Sequence, residues 1–167
     1  MPQRKPQVFY SFHFDNDVFR VQQIRNIGVI EGNEPVSRND WETARKTPGG
    51  IERWIDENMK YKTCVVVLIG SETSQRPWVR YEIAKGWDNG KGILGIYIHN
   101  LKDPRSANTA PYFGRCAQGK NPFAQVKLQN GATLDQYVPC FNPNPSDAYG
   151  DIAQNLLSWV AQAAKRA

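Results

Sequence analysis

The segment Thr63-Cys64-Val65-Val66-Val67-Leu68-Ile69 is uncharged throughout, apolar from Cys64 onward, and closed by Gly70. A strand with one wet face alternates polar and apolar residues. A strand without alternation is buried on both faces, as in a parallel sheet covered by helices. Ile93–Ile98 is a second continuous run, and Val8-Phe9-Tyr10-Ser11-Phe12, aromatic and β-branched, is an earlier strand.

Helical patterns fill the gaps between these strands. Asp15-Asn16-Asp17 supplies N-cap residue types, and Val18, Val21 and Ile24 then recur at helical spacing through Asn26. Thr47-Pro48 is a cap followed by a first-turn proline. Ile51, Trp54, Ile55 and Met59 form the apolar face that follows. Pro77 opens another helix, with Val79, Ile83 and Trp87 on one face and Asn89-Gly90 ending it. The stretch 28–47 is mixed, with a short strand expected around Gly28–Ile30. Strand, helix, strand, helix, strand implies an α/β, doubly wound, flavodoxin-like domain: a mostly parallel sheet with helices on both faces.

A last helix is expected over 146–166, with Ile152, Leu156, Trp159, Val160 and Ala163 facing the core. Between 100 and 145 the regularity fades, and six of the eleven prolines fall there. Asn130-Gly131 signals a hairpin turn, with 126–129 and 132–134 as its arms. A long irregular segment in a compact domain is either functional or a decoration. The 167 residues contain no repeat and no low-complexity tract, so the chain is expected to be a single domain over 1–167: a core of about 7–103, the final helix, and the irregular insertion 100–145.

Composition excludes several classes. No stretch approaches the length needed to span a bilayer, and the N-terminus lacks the apolar region of a secretory signal. Three widely spaced cysteines, Cys64, Cys116 and Cys140, with no CxxC, disfavour a disulfide scaffold and a cysteine zinc site. The cytoplasm is the expected compartment. The net charge of +5 arises in the middle third, where residues 61–120 hold 9 basic and 4 acidic groups. These basic residues are spread singly, without the dense stripe of a nucleic-acid binder; a solvated basic surface or attraction for a small anion such as a pyrophosphate fits better.

Neither phosphate-cradling glycine loop is present, and Gly70-Ser71-Glu72 is not a nucleophile elbow. Two histidines, His13 and His99, without a cysteine cluster make a transition-metal site improbable. Open α/β sheets bind ligands outside the carboxyl ends of their strands. The residues there are Ser11-Phe12-His13-Phe14 and Gly70-Ser71-Glu72-Thr73-Ser74, followed by Pro77-Trp78-Val79-Arg80-Tyr81-Glu82. Trp78 and Glu82 are four apart on one helix face and flank its core residues. An aromatic beside a carboxylate suits a nucleoside.

The segment Ser71…Pro77-Trp78-Val79-Arg80-Tyr81-Glu82-Ile83 resembles the corresponding part of TIR domains, where a Trp-x-x-x-Glu after the third strand supplies the glutamate of NAD-cleaving members. Pro48-Gly49 resembles the end of the TIR BB loop. Ser11-Phe12-His13-Phe14-Asp15-Asn16-Asp17, with Arg20, Gln23, Arg25 and Asn26, resembles the TIR-like group that includes the ThsB proteins of bacterial Thoeris anti-phage defence. Leu68-Ile69-Gly70-Ser71-Glu72-Thr73 and Gly95-Ile96-Tyr97-Ile98-His99-Asn100 fit the same group, and the likeness covers roughly 7–103. The resemblance implies a TIR-like fold and cleavage of the nicotinamide–ribose bond of NAD. NAD is then the substrate, and no separate cofactor or metal is implied. The product implied by the resemblance is a cyclic ADP-ribose isomer that activates a separate effector protein. A phage protein as trigger and a homo-oligomer are further expectations; a membrane or nucleic acid partner is not expected.

Glu82 is accordingly the catalytic candidate, since a carboxylate near the ribose stabilises an oxocarbenium-like transition state. Phe12 and Trp78 are candidate stacking surfaces, and Ser11, His13 and Ser74 candidate polar contacts to substrate. Each has a plainer reading. Phe12 and Trp78 fit as packing residues, Ser74 as a turn cap, and His13 as a hydrogen-bond partner of the next helix near Arg25 or Asn26. Asp15 and Asp17 fit as helix caps, and His99 as structural. Two other functions stay open: a non-catalytic TIR protein-interaction module, and a flavodoxin-like small-molecule binder.

Overall fold

The computed structural model describes residues 4–33 and 45–166. Five parallel strands form one sheet in the order β2-β1-β3-β4-β5. They are β1 (Gln7–Ser11), β2 (Glu31–Gly32), β3 (Cys64–Ile69), β4 (Gly92–Tyr97) and β5 (Cys140–Phe141). Four helices are described: α1 (Phe14–Ile27), α2 (Gly50–Met59), α3 (Pro77–Asp88) and α4 (Ala148–Ala161). β3 is buried at all six positions, as its lack of alternation requires.

The sheet separates two apolar clusters. On one face, Val8, Tyr10, Val66, Leu68, Leu94 and Ile96 meet Val21 and Ile24 of α1 and Ile152 and Leu156 of α4. On the other, Phe9, Val65, Val67, Ile69 and Ile93 meet α2 through Ile51, Ile55 and Met59, and α3 through Val79 and Ile83. The pleat of β1 sends Val8 and Tyr10 to the first face and Phe9 to the second. At the far edge, Phe141 of β5 stacks on Trp159 of α4, ring centroids 4.9 Å apart.

The segment after β4 has a structural task. A parallel pair such as β4 and β5 needs a crossover that covers one sheet face. A helix normally does this; here two 3₁₀ turns, Pro122–Gln125 and Leu134–Gln136, do it instead. They deliver Phe123, Val126, Leu134 and Val138 into the α2/α3 side of the core. The hairpin expected at Asn130-Gly131 is reduced to one antiparallel bridge, Lys127 to Thr133, around a tight turn.

Four local expectations are corrected. Asp15-Asn16-Asp17 does not precede α1. The chain is already helical at Phe14, with extended His13 at the cap position and both aspartates in the first turn. Asp17 is 1% exposed and ion-paired with Arg20, so burial overrides its capping tendency. The short strand lies at Glu31–Gly32, after Gly28–Ile30, because Gly28 still closes α1. Thr47-Pro48 forms a turn ahead of α2. Gly49 holds the cap position at φ +69°, a left-handed conformation that suits glycine and not Pro48. The last helix ends at Ala161; beyond it Ala164 pairs antiparallel with Ile93 on β4. The middle of the stretch 28–47, Pro35 included, lies outside the described residues.

Candidate active site

The first crossover, through α1, covers one face of the sheet; α2 and α3 cover the other. Connections therefore diverge between β1 and β3, the position at which open α/β sheets form a ligand crevice at the carboxyl ends of the strands. Ser11 is the last residue of β1 and wholly buried. Glu82 sits on the second turn of α3, and the Ser11 hydroxyl donates to its Oε1 at 3.0 Å. Strand end and helix meet in this bond, across 71 residues of sequence.

Glu82 was expected to flank the core residues of α3. It faces inward and is 8% exposed. Burial pushes its carboxyl up to about 8, against the smaller downward pull of the Ser11 hydrogen bond. Among the described residues no cation contributes to holding it ionised. A carboxyl that carries its proton near neutral pH and gives it up on a small change of surroundings is what a reaction site needs and a scaffold does not.

The other candidates fall into two groups. Ser74 is buried in a 3₁₀ turn, Thr73–Gln75, that leads from β3 into α3. His13 caps α1 at the end of β1. Its Nδ1 is buried without a hydrogen-bond partner and lies 4.0 Å from Glu72 Oε2. Burial and then the Arg76 charge lower its pKa, so the ring is neutral at pH 7. Its charged neighbours are thus Arg76, Glu72 and Asp15, where Arg25 or Asn26 was the expected neighbour.

The two aromatics are not brought together. Trp78 is half-buried against the α2/α3 cluster, edge-on to Tyr81 at 5.6 Å. Phe12 packs against the α1/α4 cluster, 6.2 Å from Phe14. A ligand touching both must straddle the sheet edge. Among the described residues no group of three or more His, Cys, Asp or Glu side chains is placed to hold a metal ion. No helix of the described residues is long and apolar enough to cross a membrane.

Two features escaped the sequence reading. Thr73, fully buried, accepts the Gly70 N–H on its Oγ1 at 2.8 Å and so fixes the turn that aims α3. Asp17, Arg20 and Asp103 form a buried ion network at the same end of the sheet on the α1 face. A cap-type residue and an arginine three apart was the only local sign of it.

Fold and site together define a doubly wound α/β domain of the TIR-like class, with a buried glutamate hydrogen-bonded to the end of the first strand. The family model described as "Thoeris protein ThsB, TIR-like domain" matches residues 9–103, a span that holds both Ser11 and Glu82. A Bacillus cereus (strain MSX-D12) protein named "Putative cyclic ADP-D-ribose synthase ThsB1" is 32% identical over 164 residues, covering 93% of this chain and 81% of its own length. The chain belongs to the ThsB TIR-like family.

Proposed function

We propose that this chain is an enzyme that cleaves NAD at the nicotinamide–ribose bond and forms a cyclic ADP-ribose-type signal in anti-phage defence. The observation that carries the reading is the buried Ser11–Glu82 pair at the crevice between β1 and β3. The similarity to a protein named as a cyclic ADP-D-ribose synthase supports the same chemistry. NAD serves as substrate, with no further cofactor. Nicotinamide leaves with the electrons of the glycosidic bond, and positive charge builds on the ribose. Glu82, ionised, stabilises that charge. The cationic nicotinamide ring approaching a carboxyl at about 8 favours the ionised form, so substrate binding itself arms the group.

Ser11 orients Glu82, and His13, Ser74, Phe12 and Trp78 are the substrate contacts in this reading. In the cyclising step an acceptor atom of the same molecule attacks in place of water, so the pocket must exclude water. The signal acts on a separate effector protein. The enzyme works in the cytoplasm as a homo-oligomer, with a phage protein as trigger and without nucleic acid or membrane. A purely protein-binding module has no use for a buried carboxyl of this kind, whose hydrogen bond comes from a neutral hydroxyl, which favours the enzyme. The test is mass spectrometry of nucleotides from cells that express the chain, with and without phage infection. A cyclic ADP-ribose species and free nicotinamide are expected on infection. Unchanged nucleotide pools in infected cells contradict the reading.

A further inference from the structure

Arg20 lies on α1, 3% exposed, and each of its guanidinium contacts except one reaches the irregular segment. Nε donates to the Leu101 carbonyl at 2.8 Å and Nη2 to the Gly114 carbonyl at 3.3 Å. Nη1 lies 3.4 Å from Asp17 Oδ1 on its own helix and 3.7 Å from Asp103 Oδ2 on the segment. One planar cation thereby holds both ends of the stretch 101–114. Arg105 ties the same stretch back to α1 through the carbonyls of Asp15 and Asn16, at 3.1 and 3.0 Å.

From that anchor the chain runs along the strand ends. The Cys116 N–H donates to the His99 carbonyl at 3.0 Å. Gly119 packs so closely on Gly70 that a Cβ there would overlap the Gly70 carbonyl oxygen. The Asp17 carboxylate presses on Gly70 from the other side, where a Cβ would overlap it too. The turn Pro122–Gln125 then packs on Thr73–Gln75, which holds Ser74, and on α3, which holds Glu82. Residues 114–125 therefore form a wall along the carboxyl ends of the strands, next to the turn and helix that carry Ser74 and Glu82, and Arg20 holds the chain where that wall begins.

We propose that Arg20 is a positioning residue that sets the product: it holds this wall against the strand ends so that ADP-ribose closes on itself before water reaches the ribose. The inference rests on the NAD reading above. In both outcomes the bond from the ribose C1′ to nicotinamide breaks and neutral nicotinamide leaves with the electron pair. In hydrolysis a water oxygen bonds C1′ and a proton goes to solvent, giving linear ADP-ribose. In cyclisation a nucleophilic atom of the same dinucleotide bonds C1′ and its proton goes to solvent. A wall displaced by even 1 Å admits water and spoils the intramolecular geometry.

The experiment uses the purified full chain, isotopically labelled NAD and a desalted lysate of phage-infected cells, and reads the ratio of linear to cyclic product. Arg20→Met is expected to raise that ratio on the order of tenfold, and Arg20→Lys, which keeps the charge but not the fork, by less. Gly119→Ala moves the wall without touching a charge and is expected to raise the ratio in the same sense, which keeps the test valid where Arg20→Met does not fold. An arginine that served stability alone would lower both products together, so an unchanged ratio in a folded variant overturns the proposal. If the wild-type chain releases no labelled nicotinamide, the NAD reading fails and the role of Arg20 fails with it.

Discussion

Two buried carboxyl groups sit at the same end of the sheet on opposite faces, and their neighbours separate their tasks. Asp17, on the α1 face, is 1% exposed; burial raises its carboxyl to about 6, while Arg20 pulls the other way. Glu82, on the α3 face, has the Ser11 hydroxyl as its one hydrogen-bond partner among the described residues and rises to about 8. A guanidinium turns a buried acid into a fixture of the fold, ionised at neutral pH and costly to disturb. A lone hydroxyl leaves the acid protonated at rest and free to ionise when a cation arrives.

The largest way to break this contrast is to remove the cation. Arg20→Met leaves Asp17 buried without its ion-pair partner, while Asp103 keeps Arg105 at 3.1 Å, and is expected to cost about 3–5 kcal/mol in denaturant unfolding. The Glu82 site responds in the opposite sense. Its proton is held up to about 8 in the folded chain and lost near 4.5 in the unfolded one, so between these values the folded state binds more protons and stability falls as pH rises. Each pH unit in that window costs up to about 1.4 kcal/mol, so Glu82→Gln is expected to stabilise the protein by about 3 kcal/mol at pH 7 and negligibly at pH 4. Melting curves across pH give the answer; a destabilised Gln variant at pH 7 contradicts the assignment.

Smaller effects sharpen the picture. Thr73→Val removes the acceptor of the buried Gly70 N–H and is expected to cost about 1–3 kcal/mol by the same unfolding measurement. Ser11→Ala removes the one interaction that lowers the Glu82 carboxyl, so the pH limb of kcat/KM moves upward. Activity at pH 7 then drops by up to roughly tenfold and recovers at higher pH. A flat pH profile in that variant separates the activity from the Glu82 proton.

How legible these regions were in the sequence follows from how each residue is held. β3 is buried on both faces, and the run Cys64–Ile69 states this outright. Trp78 and Glu82 carry a spacing that a family motif repeats, so the position of Glu82 on its helix was readable. Its inward aim was not, because that depends on Ser11 meeting it from a strand 71 residues away. β2 is two residues long, too short for any period. Phe123, Val126, Leu134 and Val138 enter the core from 3₁₀ turns and the residues just after them, whose spacing matches neither a strand nor an α-helix, so the segment read as either functional or a decoration and its part in the core stayed hidden. The Asp17–Arg20–Asp103 network was hidden for a related reason: one partner comes from a segment 83 residues after Arg20 in the chain, and nothing local marks the burial of a charge.

The Glu82 carboxyl is the group on which catalysis depends in the proposed reaction. The most direct measurement is nicotinamide release from NAD by the triggered wild-type chain and by Glu82→Gln, with circular dichroism and melting recorded on the same samples. The predicted result is release by the wild type and a loss of roughly a hundredfold or more in the Gln variant, whose fold is intact. Equal release by the two proteins would contradict the account.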